Sequence, residues 1–176
     1  MFYRHMKGPI EALLFASGEP LPIEKIAGIL NIDKEHVLLL IAEMVQEMNR
    51  DERGVSIVEV AGGYQMCTQP RFAELIAKLD AGVESKLSNA AMETLAIIAF
   101  KQPITKLEIE TIRGVKIDRV LNTLLDRMLI KEIGRKDAVG RPILYGTTSE
   151  FLQCFGLRKL DDLPDLAALL PEDSPS

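Results

Sequence analysis

The chain has 176 residues, 47% hydrophobic and 27% charged, with a net charge of −5 and a pI near 5.2. That is the composition of an ordinary soluble protein of one large or two small domains. Its acidity weighs against free-standing duplex binding, which runs on Lys and Arg at phosphates. Cys67 and Cys154 stand far apart with no CxxC spacing, so the sequence offers no disulfide framework and points to a reducing cytosol.

Taken in order, residues 1–7 read as a loose leader. Arg4 and Lys7 ahead of ALLFA (12–16) loosely mimic a secretory signal, but Glu11 leaves the apolar stretch too short. No run approaches the about 18 apolar residues of a membrane helix. Gly8-Pro9 opens a first helix over Ile10–Ser17, and Gly18-Glu19-Pro20 breaks it. Pro22 suits the first turn of a second helix to Leu30, and Asp33 is a good N-cap for a third, Lys34 to Asn49. Val55–Val60 and Tyr64–Thr68 flank Gly62-Gly63 as a hairpin. Phe72–Leu79 reads as a short amphipathic helix and 81–87 as a linker.

Ser88 then caps a helix to Lys101, followed by Lys106–Arg113 and Ile117–Met128. Leu129–Ile133 and Ile143–Thr148 form a second hairpin around a loop rich in Gly, Arg and Asp, with Pro142 at its rim. Three helices closed by a hairpin describe a winged helix. EFLQCFGL (150–157) continues as a helix, and the tail (161–176) ends in PEDSPS, expected to be disordered.

The two halves repeat. At an offset of 83, Pro20 meets Pro103, Ile26 meets Ile109, Ile29 meets Ile112 and Val37 meets Val120. The expected fold class is therefore α+β: mainly helical with small hairpins, as two tandem winged helices over 8–80 and 88–160. Charge is uneven, −7 over 8–84 and +3 over 88–149. Either the second half faces an acidic partner or the difference is chance.

LSNAAMETLAIIAFKQPITKLEIETIRGV (87–115), IGRKDAVGRPILYGTTSEFLQCFGL (133–157) and IEALLFASGEPL (10–21) resemble the segregation and condensation protein B (ScpB) family, a non-SMC subunit of bacterial condensin. The resemblance implies tandem winged helices, a homodimer, and binding to the kleisin ScpA, which bridges an SMC ATPase. It implies a cytoplasmic protein, associated with the nucleoid through the complex, acting in chromosome condensation and segregation. The chain departs from the family pattern at Lys116-Ile117 and at Met128, where Gly is expected.

No catalytic constellation appears. His5 and His36 lack Cys or acidic neighbours at metal spacing, there is no GxxxxGK[ST] loop, and GGYQ (62–65) reads as a turn. We expect no enzyme activity, cofactor or metal. Arg135, Lys136 and Arg141 make a basic wing loop, which touches phosphates, recognises an acidic peptide, or is simply a solvated tip. The third helix of the second half exposes Asp118, Arg119, Asn122, Asp126 and Arg127, a mixed-sign face unsuited to a major groove. This disfavours the alternative, a winged-helix transcription regulator, and leaves DNA contact weak or indirect.

Two sets of site residues follow. Arg135, Lys136, Arg141 and Tyr145 are the kleisin-binding candidates. Leu39, Leu40, Met44 and Met48 are apolar where their offset-83 counterparts are Asn122, Thr123, Arg127 and Lys131, so they are the candidate homodimer contact. The competing expectation is that this flank packs against Phe72–Leu79 within its own domain.

Overall fold

The computed structural model describes residues 4–79 and 86–164. The chain divides into two compact units, Met1–Lys86 and Leu87–Ser176. Residues 80–85, which hold most of the expected linker, and 165–176 lie outside the described residues.

The first unit runs α1 (Lys7–Ser17), α2 (Ile23–Leu30), α3 (Lys34–Arg50), β1 (Val55–Val60), β2 (Gly63–Thr68) and α4 (Ala73–Ile76). A 3-10 turn over Arg4–Met6 runs into α1, so the expected leader is partly helical. Pro9 is compatible with this because the first turn of a helix has no internal use for its N–H. Pro22 precedes α2 with extended backbone, and Asp33 occupies the N-cap position of α3 without a side-chain cap bond. β1 and β2 pair antiparallel, and Leu21 pairs with Tyr64 through two backbone bonds of 2.9 and 3.0 Å. Gly63 permits that contact, since a Cβ there would sit 2.9 Å from the Leu21 and Pro20 backbones. The helix expected over Phe72–Leu79 is shorter, a 3-10 turn at Pro70–Phe72 and the single turn of α4.

The second unit runs α5 (Asn89–Lys101), β3 (Ile104–Thr105), α6 (Lys106–Arg113), α7 (Asp118–Asp126), β4 (Ile130–Arg135), β5 (Ile143–Thr147) and α8 (Ser149–Cys154). Its sheet has the order β3-β5-β4, all antiparallel. Ser88 caps α5, accepting from Ala91 N at 3.2 Å. Thr105 and Glu108 form a capping box on α6: Glu108 N donates to Thr105 Oγ1, and Thr105 N donates to Glu108 Oε2. The core is built from α5, α6, α7 and the sheet, with Leu95, Ile98, Ile109, Leu121 and Leu124 at its centre. Each unit is thus a winged helix, and the fold is α+β.

The candidate homodimer stripe requires correction. Leu40, Met44 and Met48 are 7%, 3% and 5% exposed and belong to the core of their own unit with Val37 and Ile41. Only Leu39 of the four is exposed, at 63%, beside Leu38 at 42%. The cause is one residue. α2 and α6 differ by 83 at both ends, but α3 starts at Lys34 and α7 at Asp118, a difference of 84. Three residues, 31–33, join the first pair of helices and four, 114–117, join the second. One residue is about 100° of helix rotation. The true counterparts are therefore Val37 with Leu121 and Leu40 with Leu124, all buried, whereas the uniform offset turned Leu40 and Met44 outward.

Candidate protein-interaction face

The wing of the second unit is anchored from below. Gln102 donates to the Thr147 hydroxyl at 3.0 Å and accepts from Thr147 N at 2.8 Å, tying the end of α5 to β5. Gly146 lies beneath this clamp, where a Cβ would come within 2.9 Å of Gln102 Oε1 and of Ile133. The pairing of β4 with β5 shifts between Glu132 and Gly134. Such a bulge twists the strand and re-aims the residues that follow it.

Met128 precedes the wing in the left-handed region, at φ 56°. Its N–H bonds to Leu125 O at 2.8 Å and that of Leu129 to Leu124 O at 3.0 Å. This is the helix-ending geometry that usually takes Gly, and it explains why Gly is the expected residue at that position.

The four wing candidates fare differently. Arg135 donates to Arg141 O at 3.1 Å, bracing the loop from within. Lys136 donates to Glu108 at 2.5 Å, across from α6. That lysine, with the Thr105 backbone N–H and hydroxyl, holds the Glu108 carboxyl down to about 2. Tyr145 is mostly buried, 7% exposed and packed in the core, and what it leaves open lines a groove beside the wing; burial pushes its hydroxyl above the usual range. Arg135 and Arg141 are both exposed and, among the described residues, neither has an acidic partner. On α7 and at its C-cap, Asp118, Arg119, Asn122, Asp126 and Arg127 are all exposed.

Beside the wing is a groove that the sequence did not announce. It has a volume of about 300 Å³ and is lined by Lys106, Leu107, Glu110, Pro142, Ile143 and Tyr145. Lys106 pairs with Asp118, and its ammonium lies 3.8 Å from Glu110. Glu110 is also held by Lys116 at 3.0 Å and by Ile117 N–H at 3.3 Å, so its carboxyl lies below the usual range. Cys67 is half-buried, and burial pushes its thiol up. Among the described residues, no group of three His, Cys, Asp or Glu side chains could hold a metal ion, and no helix is long and apolar enough to cross a membrane.

The family model of the segregation and condensation complex subunit ScpB matches residues 8–166. The chain belongs to this family. The segregation and condensation protein B of Symbiobacterium thermophilum is 53% identical over 93% of this chain and 75% of that protein. That of Moorella thermoacetica is 50% identical over 94% of this chain and 85% of that protein. Among solved structures, a dimer of a ScpB N-terminal domain complexed with a ScpA peptide is 32% identical, covering 45% of this chain and 99% of that one, with a TM-score of 0.42. As a ScpB-family subunit, the chain belongs with chromosome segregation and condensation.

Proposed function

We propose that the chain is a non-enzymatic subunit of an SMC–kleisin complex that acts as a homodimer and docks ScpA mainly on its second winged helix. The family match across residues 8–166 carries the assignment to the complex. The related N-terminal domain is a dimer complexed with a ScpA peptide, and dimer and partner are taken here as common to both proteins. Support for docking on the second unit comes from its +3 balance over 88–149 and from the open groove beside Arg141. ScpA in turn would link the chain to the SMC ATPase in the cytoplasm, reaching the nucleoid only through the complex.

The opposing charges on α7 speak against a regulator that reads the major groove with that helix. Copurification with ScpA, with masses from light scattering, is the test. A complex containing two copies of the chain supports the proposal. A monomer that ignores ScpA overturns it.

A further inference from the structure

A second groove in the second unit, of about 370 Å³, lies where the described chain ends. One wall is the C-terminal end of α5, with Phe100 and Gln102. The other is the segment that returns to it after α8, with Leu160, Leu163 and Pro164. Leu163 packs against the core and Phe100 is half-buried, while Leu160 is 39% exposed. The polar groups of the lining are already matched. Gln102 uses its amide on Ala99 O and on Thr147, and the Asp161 carboxylate pairs with Lys159 at 3.2 Å. What the groove still offers is apolar surface.

The chain itself supplies an apolar segment at that point. Beyond Pro164 it reads Asp165-Leu166-Ala167-Ala168-Leu169-Leu170-Pro171. Leu163 has φ −62° and ψ 138°, the extended backbone of a residue that precedes a helix. Pro164 suits the first helical position and Asp165 the first turn. Leu and Ala are strong helix formers, and Pro171 is a stop. Leu163, Leu166, Leu169 and Leu170 recur at three- and four-residue spacing, so one face of such a helix is apolar. That face continues from Leu163, which is already packed inward. As a helix, 165–170 spans about 9 Å, starting from a residue of the groove wall. A partner's helix would have to overcome the entropy of association, whereas a segment joined to Pro164 does not.

We propose that residues 165–170 fold back as a short helix whose Leu166, Leu169 and Leu170 fill this groove against Phe100 and Leu160. The segment then covers Gln102, whose side chain clamps Thr147 of β5. The tail thereby shields the clamp that ties the wing strand to α5.

The test is hydrogen exchange on the full chain at two protein concentrations. Amides of 165–170 should exchange about tenfold more slowly than those after Pro171, equally at both concentrations. Leu166→Asp with Leu170→Asp should abolish that protection and speed exchange of the Thr147 amide about tenfold. Leu166→Met with Leu170→Met should behave as the wild type does. Leu160→Asp, on the groove wall, should speed Thr147 in the same way, and adding it to the tail variant should have no further effect. Leu160 is exposed, so its substitution leaves the fold intact, which circular dichroism checks. Deleting 171–176 should change neither readout. Unprotected exchange over 165–170, or a Thr147 amide indifferent to both Asp variants, overturns the proposal. So does protection seen only at the higher concentration, which assigns the segment to a second copy, or only with ScpA added, which gives the groove to that partner.

Discussion

Met44→Ala and Leu39→Ala separate the two possible rotations of α3. With the observed rotation, Met44 is 3% exposed and packs among Val37, Leu40 and Ile41, while Leu39 faces solvent. Truncating a buried Met to Ala costs about 2–5 kcal/mol, the lost transfer energy plus the cavity left behind. A change at an exposed site away from special features falls within about 0.5 kcal/mol. Against a domain stability of about 5–15 kcal/mol, the first substitution removes a large share and the second almost nothing. Leu40 lies one turn before Met44, so Leu40→Ala with Met44→Ala would share a cavity and not add simply. Urea unfolding followed by circular dichroism measures the cost. Hydrogen exchange assigns it, because peptides from 34–50 should lose protection while those from 118–126 keep it. Leu40→Glu with Met44→Glu should unfold the first unit rather than yield a folded monomer. If Leu39→Ala cost as much as Met44→Ala, or more, the rotation derived from the 84-residue spacing would be wrong.

Three further outcomes follow from single contacts. Gly63→Ala should cost about 1–3 kcal/mol, the usual penalty for overpacking, because the added methyl meets backbone at 2.9 Å; denaturant midpoints would read it. Glu108 has a folded-state pKa of about 2, below its ordinary 4.5, so its contribution is complete above 4.5 and is lost as pH falls toward 2. Urea midpoints across that window should fall less steeply for Glu108→Gln. In gel shifts at about 150 mM salt the chain should show no nanomolar, sequence-selective duplex binding.

Much of the architecture is legible in the sequence because it is punctuated. Pro20, Pro22, Gly62, Gly63 and Ser88 sit at or beside element ends, and β1 and α6 have the expected bounds. The repeat is legible too, since apolar spacing survives when surface residues change. What escapes is local to one residue or remote in the chain. The fourth residue of the turn at 114–117 breaks a uniform offset without disturbing the apolar pattern on either side. The two-residue β3 is too short for any periodicity. The wing residues read as equivalent cations, yet Lys136 is matched by a carboxylate 28 positions earlier and Arg135 by a carbonyl. Tyr145 lies in the core because its face of β5 packs against the helices, which come from remote segments of the chain.

The most direct test of the proposed role is the mass of the purified complex with ScpA. Light scattering on the copurified material should give two copies of this chain with ScpA, and hydrogen exchange should place the strongest new protection in 86–164. A monomer that passes through the column without ScpA, or protection restricted to the first unit, would contradict it.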